Sequence, residues 1–68
     1  MNPFEGVGSV TVHTFIDYHG ERTRSQTFKN IKFDEILVSK GILELETVNE
    51  ELIHVPNVAY YTVEANLL

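Results

Sequence analysis

The sequence predicts a small all-β or β-dominated α+β domain, either one antiparallel sheet or a partly open barrel of about five short strands, with one short helical turn near residues 33–40. Three observations carry this. Side chains alternate with period two in Val10–Tyr18 and in Leu43–Glu46. Turn-forming residues punctuate them at Gly20, Asn49-Glu50 and Pro56-Asn57. The stretch Asn30–Gly41 shows no clear helical stripe, so a short helical turn or irregular crossover is expected there and not a long helix.

The elements follow in chain order. From Val10 to Tyr18, residues Val10, Val12, Thr14, Ile16 and Tyr18 fall on one face, and Thr11, His13, Phe15 and Asp17 on the other. The run is rich in β-branched and aromatic residues, so it reads as a strand, with Val12, Ile16 and Tyr18 turned to the core. Gly6 and Gly8 loosen the chain just before it. Gly20 supplies the positive φ of a tight hairpin, and Arg22–Phe28 returns as a polar second strand.

Asp34 then caps a single helical turn or irregular crossover, with Gly41 as its stop and Lys40 in its last turn. Ile31, Phe33, Ile36 and Leu37 from this region plug the core. Leu43 and Leu45 alternate with Glu44 and Glu46 in a third strand. Asn49-Glu50 turns the chain, Leu52–Val55 forms a fourth strand, and Pro56, which has no N–H to donate, ends it. Val58–Glu64 is the fifth, with Tyr60 and Tyr61 on opposite faces.

All 68 residues fit a single domain, and its core is thin. A chain of this length buries only about 60% of the surface its unfolded form exposes. With no cysteine, neither disulfides nor thiolate-bound metal can compensate. Self-association is therefore expected, as a homodimer or higher homo-oligomer. An exposed tyrosine of the Tyr60-Tyr61 pair, with the apolar Leu67-Leu68, is the candidate self-association surface.

The net charge of −5 argues against direct nucleic-acid binding. No run is long enough to span a membrane. The stretch Met1–Glu5 has neither the basic start nor the apolar core of a signal peptide, so a cytoplasmic location is the expectation. Charge is uneven along the chain. Residues 1–33 hold four basic and three acidic side chains, whereas residues 34–68 hold one and seven.

The hairpin region "VHTFIDYHGERTRSQTF" concentrates the chemistry. With His19-Gly20 as the turn, Asp17 faces Arg22, Phe15 faces Arg24 and His13 faces Gln26. With Gly20-Glu21 as the turn, Asp17 faces Arg24 and His19 faces Arg22. Either register gathers His13, Phe15, Asp17, Arg22 and Arg24 on one face. This is a candidate binding patch, since arginine beside an aromatic is the composition of interaction hot spots. The plain alternative is a solvated face held by an ordinary Asp–Arg pair.

A metal site is not expected. Alternate strand residues stand ~6.5–7 Å apart, so His13, Asp17 and His19 do not converge on one ion, and no spacing rule recruits His54. Catalysis is not expected either. Ser9, Ser25 and Ser39 lie in no nucleophile motif, Gly6–Gly8 lacks the lysine and helix of a phosphate loop, and Glu50-Glu51 sits in a turn with nothing to desolvate it. No cofactor is implied.

These readings describe a small soluble non-enzymatic protein that acts by docking on another macromolecule. An acidic, motif-poor chain is the type that phages use to inhibit a host enzyme or defence factor. In that setting Glu44 and Glu46, spaced along one strand face, form a candidate acidic face imitating a phosphate row. A rival expectation is an oligomeric module in which Arg22, Arg24 and His13 bind an anionic, nucleotide-like ligand at a subunit interface. A third is a structural or assembly subunit.

Overall fold

The computed structural model describes residues 6–65. These residues form six strands: β1 (Val7–Phe15), β2 (Thr23–Lys32), β3 (Leu37–Ser39), β4 (Ile42–Glu46), β5 (Leu52–Val55) and β6 (Val58–Ala65). A 3₁₀ turn at Phe33–Glu35 is the one helical element among the described residues. All pairing within the sheets is antiparallel. Sheet 1 has the order β2-β1-β6 and sheet 2 the order β3-β4-β5. The fold is thus β-dominated, with two small sheets and no closed barrel.

The sheets meet through alternating apolar positions. Val10 and Val12 of β1, Ile31 of β2, and Leu43 and Leu45 of β4 are fully buried. Phe28, Phe33, Ile36, Ile53, Val55 and Val58 pack around them, partly covered. Ile31 reaches this core through a bulge. Between the pairs Gly8–Ile31 and Val10–Phe28, β1 has one residue and β2 has two. Asn30 takes up the extra residue at φ 60°, a conformation that asparagine tolerates better than most residues. Phe28 and Ile31 consequently face the same side although they are three apart.

Asn30 also ties the sheets together. Its carbonyl accepts the Val48 N–H at 2.9 Å, and Ile31 forms a bridge with Thr47. Thr47 organises the β4–β5 turn, its hydroxyl accepting the N–H groups of Asn49 and Glu51.

Several expectations are corrected. Lys40-Gly41 does not end a helical turn. It is the two-residue loop of a β3–β4 hairpin, with φ of 54° and 78° and Ser39 paired to Ile42, the geometry of a type I′ turn. The consecutive apolar residues before it read better as a strand, because β3 at an edge needs no helical stripe. Leu37 does not plug the core; it stands on the outer side of sheet 2, 60% exposed. The first strand stops at Phe15, which leaves Ile16 exposed and Tyr18 fully so, rather than turned to the core.

Gly8 is not a loosened lead-in but a point of close approach inside β1. A Cβ there would overlap the Glu64 carbonyl oxygen and stand 2.6 Å from the Phe33 ring, whereas one at Gly6 would meet nothing within 4 Å. Gly8→Ala is therefore expected to destabilise the fold by about 1–3 kcal/mol, and Gly6→Ala to leave it nearly unchanged. Chemical denaturation of the two variants checks the contrast.

Candidate functional site

The hairpin that gathers the candidate patch closes differently from either expected register. β1 and β2 are joined by the segment Ile16–Arg22, and the pairs are His13–Ser25, Thr14–Arg24 and Phe15–Thr23. Asp17 builds this wider loop. Its Oδ1 accepts the N–H groups of Glu21 at 2.9 Å and Arg22 at 3.3 Å, and its Oδ2 lies 3.7 Å from Arg22 Nε. Gly20, at φ 72°, donates its N–H to the Asp17 carbonyl.

The resulting slip moves Arg24 to the side opposite His13, because neighbouring strand residues point to opposite faces. The expected patch therefore divides. His13 lies on the outer face of sheet 1. Phe15 ends β1 beside Gly20, Asp17 and Arg22 pair within the loop, and Arg24 projects on the inner side with Thr14. The trio Arg22, Arg24 and His13 does not converge within one chain.

On the outer face His13 is the centre of a cross-strand row. Ser25 Oγ lies 2.8 Å from its Nδ1, and Tyr60 stacks on it with ring centroids 4.1 Å apart and planes within 16°. The adjacent row is Thr27, Thr11 and Thr62, with the first two hydroxyls 3.0 Å apart. This is a polar, flat face. The serine hydroxyl and the imidazole are in direct contact on this face.

Glu44 and Glu46 do share the outer side of sheet 2, but each has a basic side chain beside it. Glu44 lies 3.6 Å from His54 across the β4–β5 pair. Glu46 accepts a hydrogen bond from Lys32 Nζ at 2.7 Å. That hydrogen bond raises the Lys32 pKa above the ordinary lysine value, against a lowering by desolvation. A raised cation pKa stabilises below the ordinary lysine range and loses its contribution only as pH climbs through the raised value. The pair therefore holds unchanged through neutral pH.

Tyr60 and Tyr61 fall on opposite faces of β6, 54% and 37% exposed. Leu67 and Leu68 lie outside the described residues. His54 stands exposed on the outer side of β5. Among the described residues no group of three or more His, Asp and Glu side chains is placed to hold a metal ion, and no helix is long and apolar enough to cross a membrane.

Two features were not visible in the sequence. One is the His13–Tyr60 stack, which depends on β1 pairing with a strand more than forty residues away. The other is a cleft of about 630 Å³ where the inner faces of the two sheets diverge beyond Val12, between Arg24, Gln26 and Phe28 on β2 and Ile53 and Val55 on β5. Comparison with protein families, curated proteins and solved structures finds no match to this chain.

The division of the hairpin has a measurable signature. Asp17→Ala should speed hydrogen exchange at the Glu21 and Arg22 amides by roughly fivefold, the effect of losing about 1 kcal/mol of hydrogen bonding. Arg24→Ala should leave the same amides unchanged.

Proposed function

We propose that the protein is a non-enzymatic binding module that works by docking on protein chains, first on a second copy of itself across the free edge of β6. The observation that carries this reading is the imbalance of its apolar surface. Among the described residues five hydrophobic side chains are fully buried, while eleven large ones are exposed, among them Tyr61 and Val63. Those two occupy the core-facing side of sheet 1, opposite Val12 and Val10, yet 37% and 51% of their surfaces stay exposed.

The choice of β6 rests on how sheet edges are guarded. Natural edges are blunted by shortness, charge, proline or bulges. β3 is three residues long, and β5 is followed at once by Pro56. β2 carries Lys29, Lys32, its bulge and the inward Arg24. β6 has its irregularity at Ala59, near its start; from Tyr60 to Ala65 it is regular, with Glu64 its one charge.

A two-fold pairing centred on Thr62 fits this stretch. Tyr61 then meets the partner's Val63 on the core side, and Tyr60 meets the partner's Glu64 on the polar side. An aromatic faces a β-branched residue, and no like charges oppose. The acidic-face reading receives less support, because Glu44 and Glu46 are engaged by His54 and Lys32.

Sedimentation equilibrium tests the proposal. The protein should be dimeric at micromolar concentration. Thr62→Lys places two lysines against each other at the two-fold axis and touches no core residue, so it should weaken the dimer at least about tenfold. Thr23→Lys, on the β2 edge, should not. A monomeric wild type, or a dimer indifferent to Thr62→Lys, would sink this reading.

A further inference from the structure

We propose that the cleft between the open ends of the two sheets binds an amphipathic organic anion, a monocarboxylate on a short apolar chain, with Arg24 and Gln26 holding the head group and Phe28, Ile53 and Val55 enclosing the body. The argument starts from the pattern of β2. Its inward positions are Arg24, Gln26 and Phe28, followed after the bulge by Ile31. Ile31 is buried in the core and Phe28 packs against it. Arg24 and Gln26 continue the same side, opposite Thr14 and Val12. Both side chains are exposed, beyond the part of sheet 1 that forms the buried core, so they are open to a ligand on the same side as Phe28 and Ile31.

The space they face suits a ligand. The cleft measures about 630 Å³, within the usual range of small-molecule sites, and it combines an apolar wall with a few convergent polar groups. Charge supplies the second part of the argument. In a chain of net charge −5, the ion pairs among the described residues join Asp17 to Arg22 and Glu46 to Lys32, and Glu44 lies beside His54. Arg24 has no carboxylate among them. Its planar fork matches a carboxylate, and the Gln26 amide adds a donor one inward position along.

The head group carries a single charge because the site offers a single cation. His54 borders the cleft, but its imidazole is turned to Glu44 on the other face of sheet 2. A phosphate would be left half-neutralised. An inward arginine also guards the β2 edge against pairing, yet that role requires neither the amide of Gln26 nor the apolar wall formed by Phe28, Ile53 and Val55. No residue of the Tyr60–Ala65 stretch lines the cleft, so this inference does not rest on self-association.

Titration with octanoate and with 1-octanol, followed by amide ¹H–¹⁵N spectra, tests it. Octanoate should shift the signals of Arg24, Gln26, Phe28, Ile53 and Val55. Arg24→Gln should weaken its binding about tenfold and leave the weaker response to octanol unchanged. Arg24→Lys, which keeps the charge and loses the fork, should weaken octanoate several-fold and serves as the deciding variant if Arg24→Gln does not fold. The proposal is overturned if octanoate shifts scatter over β6 or the outer faces, or if octanoate and octanol bind alike. Unchanged octanoate binding in a folded Arg24 variant overturns it as well.

Discussion

The packing of the two sheets depends on the extra residue that Asn30 adds to β2 beside Ile31. Without it, the alternation of the strand would send Ile31 to the outer face, since a one-residue change of register reverses every side chain beyond it. With it, Ile31 joins Val10, Val12, Leu43 and Leu45 in the fully buried set. The same residue gives the Val48 N–H its acceptor and brings Thr47 against Ile31. The core therefore forms at the end of sheet 1 where β2 runs into the 3₁₀ turn, and Gly8 allows Phe33 to close over that end.

An off-centre core has consequences at both margins of sheet 1. On the β2 side, the inner face continues past Val12 and Phe28 into Gln26 and Arg24, so the sheets do not close and a cleft remains. On the β6 side, Tyr61 and Val63 lie on the core face yet remain partly exposed. Both follow from one shortage. The five fully buried aliphatic side chains among the described residues, each contributing about 1.5–3 kcal/mol, leave little surplus over the conformational entropy of a small chain, and domains of this size commonly draw on a partner or ligand. A β6 edge with a single charge along its regular stretch is where a second copy would add most.

The legibility of the sequence follows the range of the interactions. β5 and the stop at Pro56 were readable because they are local: a four-residue β-rich run meets a residue that cannot donate to the ladder. The alternation of Leu43 and Leu45, and the opposed faces of Tyr60 and Tyr61, were equally plain. The β3 strand was hidden because its hairpin places a lysine, rather than the usual asparagine or glycine, at positive φ. The β1–β2 register was hidden because the Asp17 carboxylate stabilises a wider loop than Gly20 suggested, and this alone separates Arg24 from His13. The His13–Tyr60 stack and the Arg24 cleft required the strand order and the Asn30 bulge, neither of which a local pattern specifies.

The central claim is that this chain completes its fold by associating. Thermal unfolding measured over a wide range of protein concentration tests that most directly, because association that accompanies folding makes the transition temperature depend on concentration. The account predicts a midpoint that rises steadily as the protein is concentrated. A midpoint independent of concentration, with a single cooperative transition, would show that the monomer is sufficient and would contradict the claim.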